Sequence, residues 1–349
     1  LTGDGRHVVA AAAGGAGVWT LAGRRVATLR PPAQPPAAGN AAAAAVSADG
    51  RIVAAASAGN LCMRYRRETH GAAVWRLGRA APVLEVEAGV PLGLDDDGRL
   101  LAAGGSVWPA DGGPRLPGLG KVLVLSPDGT RALVALAGRF EIALTASGET
   151  VAALGDAARL REALAVDPGA ASFSPDGSRL LTRWDMSARL WDATTGDPIA
   201  LLGRRGEEVA GLEFGDGGEL ALLTFSGRAA VFSAEDGREL SSVSGEFTGG
   251  ALSDDGTFAA LPGEDGAIEI VDPAAGTRVF LQAGTGVRLA DLSFGPGAGL
   301  ILGRDEAGDV HVVRCEICAA DEELLGLARS RLAVLARIEA AEPPVGATG

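Results

Sequence analysis

Short apolar runs separated by tight-turn sequences recur along the chain. The segment Ala171–Gly196 reads ASFSPDGSRLLTRWDMSARLWDATTG, and its apolar and polar residues alternate as in half-buried β-strands. In SPDG, Ser174–Gly177, proline presets φ and glycine accepts the left-handed conformation, so this sequence predicts a tight turn between two strands. We predict four strands in the segment: strand A ending at Phe173, strand B at Arg179–Thr182, strand C at Ala188–Asp192, and strand D after Gly196.

Related turns mark a repeat. They end at Gly5, Gly50, Gly98, Gly129, Gly177, Gly218, Gly256 and Ala298. Their mean spacing of about 42 residues is the period of a four-stranded propeller blade. We therefore predict an all-β fold, a β-propeller of seven or eight four-stranded antiparallel blades. Eight turns favour eight blades, whereas seven would result if Arg24–Leu29 supplied the outer strand of the last blade and residues 1–23 were the remnant of a preceding one.

The predicted propeller covers residues 1–316 and is followed by a different pattern. Residues 317–340 contain Leu325, Ala328, Leu332 and Leu335 at helical spacing, with acidic residues first and arginines later. This arrangement predicts an amphipathic C-terminal helix. We expect it to cap the propeller, the alternative being that it binds a partner. Residues 341–349 are expected to form a disordered tail.

One unit carries a recognisable signature. RLWD at Arg189–Asp192 follows the FSPDG turn, with Asp185 six positions before Trp191. This combination resembles the WD-repeat propellers, well over residues 169–314, fairly over residues 1–77 and poorly over residues 88–168. Only this unit has the full Trp-Asp pair, and no Gly-His pair begins a blade, so the hydrogen-bonded His, Asp and Trp arrangement of that family is incomplete. Degenerate copies place Phe232, Val271 and Val313 at the Trp191 position, and Val18-Trp19 and Val74-Trp75 extend the frame.

The resemblance implies a non-catalytic protein-interaction or ligand-sensing scaffold. The C-terminal sequence CEICAADEELLGLARSRL also resembles the end of degenerate bacterial multidomain WD-repeat proteins, in which a propeller follows a signalling NTPase, a kinase or another effector. It implies that the chain, which starts at Leu1, is the C-terminal module of a larger bacterial signalling protein with an N-terminal effector domain.

Net charge, apolar runs and cysteine content limit the classes of partner and the compartment that we expect. A formal net charge of −13 excludes a general phosphate-binding surface, so we expect no nucleic-acid partner. No apolar run reaches the length of a membrane span, and the first thirty residues lack the pattern of a secretory signal. Three cysteines are too few for a disulfide scaffold, which favours a reducing cytoplasm.

Long insertions indicate where a partner would bind. Arg30–Asn40, Ser57–Gly71 and Gly155–Gly169 all fall in connections from strand B to C or from strand D to A, on one rim of the propeller. Insertions on one face of a repeat array are typical of a binding face, although poorly matching units can also simply drift in length.

Two groups on this rim are candidate binding residues. The first is the basic run Arg64, Tyr65, Arg66 and Arg67, because arginine and tyrosine are favoured interface anchors; a solvated loop is the alternative. The second is Trp184 with its neighbour Arg183, and Glu264 at the position corresponding to Trp184 in a later unit. Trp184 could instead pack between blades.

Motifs for catalysis or metal binding are weak. Cys315-x-x-Cys318 has only His311 as a further nearby ligand, whereas a structural zinc site needs four, so buried or partly exposed thiols are favoured over a metal site or a disulfide. The three histidines lie in different units without a nucleophile motif. We therefore predict no cofactor, no metal and no catalysis; the alternative is a propeller hydrolase or lyase with its active site at the channel mouth.

Overall fold

The computed structural model describes residues 2, 6–12, 15–29, 42–57, 71–87, 92–136, 139–155, 171–184, 186–204, 206–263, 266–282, 286–295, 297, 299–305, 309–315 and 317–318. Within these ranges the regular structure consists of 29 β-strands. In this part of the chain there is no helix long and apolar enough to cross a lipid bilayer.

The strands form eight sheets, each made of consecutive strands. The first four are β1 His7–Ala12, β2 Gly15–Thr20, β3 Arg25–Leu29; β4 Ala42–Val46, β5 Ile52–Ser57, β6 Ala72–Arg76, β7 Leu84–Val86; β8 Leu92–Leu94, β9 Leu100–Ala103, β10 Ser106–Pro109; and β11 Lys121–Leu125, β12 Arg131–Leu136, β13 Arg139–Leu144, β14 Thr150–Leu154. The last four are β15 Ala171–Phe173, β16 Arg179–Trp184, β17 Ser187–Asp192, β18 Pro198–Leu202; β19 Val209–Phe214, β20 Leu220–Phe225, β21 Arg228–Ser233, β22 Glu239–Ser244; β23 Ala251–Leu252, β24 Ala259–Pro262, β25 Ile268–Asp272, β26 Thr277–Gln282; and β27 Leu289–Phe294, β28 Leu300–Asp305, β29 Val310–Arg314.

These sheets are the blades of an eight-bladed propeller. From the second blade onward, the first strand of each blade contacts the first strand of the next, which places these strands innermost. Residues of β1 and β2 share a cleft with residues of β29, so the first and eighth blades are neighbours. The prediction of eight blades is confirmed and the seven-bladed alternative is excluded, because β3 pairs with β2 in a sheet of its own. Among the described residues, the first, third and eighth blades have three strands and the other five have four.

The A-to-B turns form as the sequence predicts. In the fifth blade, Ser174 Oγ donates to Asp176 Oδ1 at 2.6 Å and accepts from the Arg179 amide at 2.9 Å. Gly177 closes the turn with φ of 68°, a conformation that a residue with a Cβ rarely adopts. The same serine-to-aspartate bond occurs in three other blades, at Ser47, Ser126 and Ser253. The repeat is therefore specified locally, turn by turn.

A tryptophan position recurs in register. Trp191 of β17 lies opposite Leu180 of β16, is fully buried, and donates from Nε1 to Thr182 Oγ1 at 2.9 Å. The corresponding residues opposite strand B in other blades include Trp19, Trp75, Phe232 and Trp108. Trp108 was missed by sequence reasoning, because its blade has short strands and no Asp after the Trp.

The hydrophobic core lies between neighbouring blades. Trp191 and Leu180 pack against Phe140 and Ile142 of the fourth blade. On the opposite face of the fifth blade, Leu181 and Leu190 pack in a cluster shared with the sixth blade. Each blade thus buries both faces, and the burial of large aromatic and aliphatic side chains stabilises the array as a whole.

The prediction of free thiols near the C-terminal end of the described chain is corrected by the structure. Cys315 and Cys318 are joined by a disulfide bond and are both buried, so the preference for free thiols was wrong. The predicted helix within residues 317–340 lies, apart from Ile317 and Cys318, outside the described residues, as does the tail at residues 341–349. The domain boundaries therefore stay predictions.

Candidate functional site

Antiparallel pairing within each blade defines two rims. We call the end with the A-to-B and C-to-D connections the turn rim; it carries turns such as residues 174–177 and 192–196. The other end, with the B-to-C and D-to-A connections, is the loop rim. Arg183 and Trp184, which were predicted to follow strand B, are the last two residues of β16 and lie at its loop-rim end.

Most of the other predicted binding residues cannot be placed. Arg64, Tyr65, Arg66, Arg67 and Glu264 lie outside the described residues, as do the interiors of the three long insertions. The backbone of Trp184 pairs with Ser187, whereas its side chain is likewise outside the description. Their binding roles stay predictions.

Arg183 borders a pocket that opens at the loop rim between the fifth, sixth and seventh blades. Its Nη2 donates to the carbonyl oxygen of Ala210 at 3.1 Å. The pairing of β19 with β20 shifts register between Val209 and Gly211, so Ala210 sits in a β-bulge, a feature common beside functional sites. The pocket has a volume of about 230 Å³, and its lining also includes Glu213, Thr224, the segment 248–250 and Leu292 of the eighth blade.

Glu213 is the acidic residue of this pocket. It lies on the innermost strand β19, opposite Leu222 of β20. Burial and, to a lesser extent, the negative charge of Asp216 raise its pKa to about 8. Among the described residues, none forms an ion pair or a hydrogen bond with its carboxyl group. The side chain keeps a partly accessible surface, which faces the pocket.

Thr224 supplies a second polar group. Its side chain is 1% exposed, and its hydroxyl oxygen has no hydrogen-bond partner among the described residues. A Cβ at Gly211 would lie 2.9 Å from that oxygen, so Gly211 packs directly against a hydroxyl that is itself buried. A Cβ at Gly250 would lie 2.7 Å from Leu261 Cδ2, so no side chain fits on that wall either.

Sequence reasoning missed Glu213 and Thr224. Counted back from the A-to-B turn, the Glu213 position is occupied by small or apolar residues in six other blades: Ala45, Gly93, Val124, Ser172, Ala251 and Ser293. A carboxylate in the middle of one inner strand was thus the available signal. Thr224 had no comparable signal, since threonine is ordinary in a strand.

A second charged group, the Arg228 cluster, lies on the same rim. Arg228 has 7% side-chain exposure and binds Glu207 through Nε and Nη2 at 2.7 and 2.8 Å. Its Nη1 binds Glu239 at 3.0 Å, and its guanidinium lies 4.7 Å from the Phe225 ring centroid. The hydrogen bond from Arg228 is the main reason that the pKa of Glu207 is lowered. The cluster is complete within the chain and fixes the rim beside the pocket.

Three carboxylates of the turn rim have no cation paired with them among the described residues. Partial burial raises the pKa of Asp216, and the raising effect is increased by its hydrogen bond with Asp254 and by the charges of Asp254 and Asp96. These residues come from the third, sixth and seventh blades, at the second position of their A-to-B turns. Their convergence makes this part of the propeller strongly negative.

His311 and Cys315, the remaining candidate metal ligands, have partners within the chain. His311 Nε2 lies 2.9 Å from Asp305 Oδ2, while the Cys315 sulfur is used in the disulfide. Within the described part of the chain, no three His, Cys, Asp or Glu residues are grouped so that they could hold a metal ion.

Comparison with known proteins identifies the fold through structure alone. No protein-family model and no curated protein sequence matches the chain. The C-terminal WD40 domain of Sif2 superposes with a TM-score of 0.64 at 14% identity, covering 89% of this chain and 93% of that one. The computationally designed Ika8 protein superposes with a TM-score of 0.65 at 19% identity, with the same two coverages. The chain has the eight-bladed β-propeller fold, and its structural neighbours include a WD40 domain.

Proposed function

We propose that this protein is a non-catalytic protein-interaction scaffold whose loop rim binds the partner. The observation that carries the proposal is the pocket lined by Arg183, Glu213 and Thr224, which opens on the rim that also bears the three long insertions. Likeness to a WD40 domain supports the same kind of role, as does a rigid rim that can hold binding side chains without a large ordering cost. The basic run at residues 64–67, with Trp184 and Glu264, would add contacts elsewhere on the same rim.

The proposal also includes the cellular setting. The chain would be the C-terminal module of a larger cytoplasmic signalling protein of bacterial origin, in which an N-terminal effector domain is controlled or localised by what the propeller binds. The resemblance of residues 315–332 to the ends of such proteins supports this setting.

We favour binding over catalysis because of the composition of the pocket. Among its described lining residues there is one carboxyl group, Glu213, and there is no histidine or cysteine. A hydrolase or lyase would need a second acid or base in the same pocket, or a nucleophile positioned by a base, whereas Asp216, the carboxyl group whose charge acts on Glu213, lies in the turn rim and outside the pocket lining.

Partner capture with two charge-matched variants tests the proposal. In the first, Arg64, Arg66 and Arg67 of the loop rim are changed to Ala. In the second, Arg51, Arg99 and Arg238 of the turn rim are changed to Ala; these have exposed side chains and the same total charge. A captured partner is purified and its affinity for each variant is measured by titration.

We expect the loop-rim variant to lose at least tenfold in affinity, and the turn-rim variant to bind like the parent protein. Equal affinities of the two variants, or a greater loss in the turn-rim variant, would place the binding face elsewhere. Circular dichroism confirms that each variant is folded.

A further inference from the structure

The polar groups of the loop-rim pocket are unsatisfied by the protein itself. Glu213 has no cation beside its carboxyl group among the described residues, and the buried hydroxyl oxygen of Thr224 has no hydrogen-bond partner. Buried polar groups are normally paired, because an unpaired one costs about 1–3 kcal/mol. The Glu213 carboxyl group, which keeps accessible surface in the pocket, is explained if a ligand supplies its partner.

The size of the pocket limits the ligand. Its volume of about 230 Å³ is below the roughly 300–1,000 Å³ of sites for whole small molecules. The walls at Gly211 and Gly250 have no side chains, which leaves a narrow space bounded by backbone. One long side chain of a protein partner suits this space better than a cofactor does.

The surrounding charge selects a cation. Asp216 is the charged neighbour that raises the Glu213 pKa, and Asp216 is itself close to Asp254 and Asp96. An anion entering here would meet these carboxylates within a protein of net charge −13. The positive group in the lining, Arg183, is held by the carbonyl oxygen of Ala210 and does not pair with Glu213. The other described elements around Glu213, namely β20, the segment 248–250 and Leu292, contribute uncharged lining residues.

We propose that this pocket binds the guanidinium or ammonium group of an arginine or lysine side chain that a partner inserts from the loop rim. Glu213, whose side chain keeps accessible surface in the pocket, forms the ion pair. This assignment rests on the proposed function and specifies the chemistry of its central contact. Binding of the cation requires ionised Glu213, so it releases a proton and strengthens as the pH rises.

The test uses n-butylguanidinium and n-butylammonium as probes and neutral n-butylurea as the matched control. Each is titrated into the isotope-labelled protein, and amide chemical shifts of residues 210–213 and 248–250 report the dissociation constant. With a Glu213 pKa of about 8, only about a tenth of the sites are ionised at pH 7 and about nine-tenths at pH 9. We therefore expect both cations to bind about tenfold more tightly at pH 9 than at pH 7, and n-butylurea to show no such change.

Two variants test the role of the carboxyl group. Glu213→Gln should abolish the pH-dependent binding. Glu219→Gln, at an exposed residue of the same blade that does not line the pocket, should leave the binding and its pH dependence unchanged. Amide spectra of each variant without probe verify the fold.

Binding of the cations that is independent of pH, or that survives Glu213→Gln, would overturn the proposal, as would preferential binding of acetate. If the probes fail to bind while partner capture still depends on the loop-rim arginines, the pocket assignment fails and the proposed function stands. Loss of both results would overturn both.

Discussion

In the described part of the chain, the hairpin formed by β20 and β21 has paired charged groups on one face and unpaired polar groups on the other. On one face, Phe225 and Arg228 meet Glu207 and Glu239, and every charge has a partner within the chain. On the other face, Thr224 meets the pocket of Glu213, where the carboxyl group has no cation and the hydroxyl has no hydrogen-bond partner among the described residues. Neighbouring residues on a strand point to opposite faces, so a single hairpin supports both arrangements.

This difference distinguishes the charged groups of the Arg228 cluster, which stabilise the fold, from Glu213, whose carboxyl group is available to a ligand. In the Arg228 cluster the bidentate contact lowers the pKa of Glu207, which means that the folded state stabilises the charged form. In the pocket, burial raises the pKa of Glu213 to about 8, which means that the folded state opposes the charge. A residue that costs stability in the free protein and lies in an open pocket is a better candidate for function than one that is fully paired.

The largest expected effect on stability comes from replacing Arg228, the cation at the centre of its cluster. Arg228→Met should lower the free energy of unfolding by about 3 kcal/mol, because it leaves the largely buried Glu207 carboxylate without its paired guanidinium and Glu239 with Arg204 alone. Urea unfolding at pH 7 measures this loss. The control is Arg238→Met, at an exposed arginine 4.0 Å from Asp236, which should cost less than about 1 kcal/mol. Similar losses in both variants would show that the cluster contributes little more than a surface pair.

In the pocket, by contrast, removing the charged group should increase the free energy of unfolding. Because folding raises the Glu213 pKa to about 8 from an ordinary value near 4.5, the folded chain holds a proton that the unfolded chain releases between those pH values. The Glu213 contribution to stability therefore declines as the pH rises through this window. Glu213→Gln removes the decline, so the variant should gain about 2 kcal/mol relative to the parent protein between pH 5 and pH 7.

Urea unfolding at both pH values tests this gain. Glu219→Gln is the matched control, since Glu219 is an exposed residue of the same blade. Its stability difference from the parent protein should be the same at pH 5 and pH 7. A constant difference for Glu213→Gln as well would show that the Glu213 carboxyl group is not destabilised by folding.

The fold could be predicted from the sequence because its signals are local. A turn such as Ser174–Gly177 encodes its own geometry through a serine, an aspartate and a glycine, and the spacing of these turns gives the blade period. Blade number was left between seven and eight, because it depends on whether β3 pairs within its own blade or with a distant one. Pairing over such a sequence separation leaves no local mark.

The site could be predicted only in part for the same reason. Arg183 was a candidate only as the neighbour of Trp184 in the predicted connection from strand B to strand C. Glu213 became significant only when the fold placed it beside Arg183 of the fifth blade and Leu292 of the eighth. The Cys315–Cys318 bond was misjudged because the CxxC spacing permits thiols, a metal site or a disulfide alike.

The smallest expected effect is at the turn rim, where Asp96, Asp216 and Asp254 have no paired cation among the described residues, as is true of Glu213, but are more accessible to water. Asp254→Asn removes the charge and the hydrogen bond that help to raise the pKa of Asp216, so that pKa should move down toward its ordinary value. The free energy of unfolding at pH 7 should rise by less than about 1 kcal/mol, because solvent screens exposed carboxylates, and the gain should vanish at acid pH where these groups are protonated.

The control, Asp236→Asn, removes a carboxylate whose pKa is lowered by hydrogen bonds from the Arg238 amide and the Ser233 side chain, and it should change stability in the opposite direction. Carbon-13 titration of the Asp216 carboxyl group, together with urea unfolding, measures both quantities. A gain as large as that of Glu213→Gln would mean that the turn-rim carboxylates are as strongly destabilised as Glu213, and that lack of a cation alone does not distinguish the pocket.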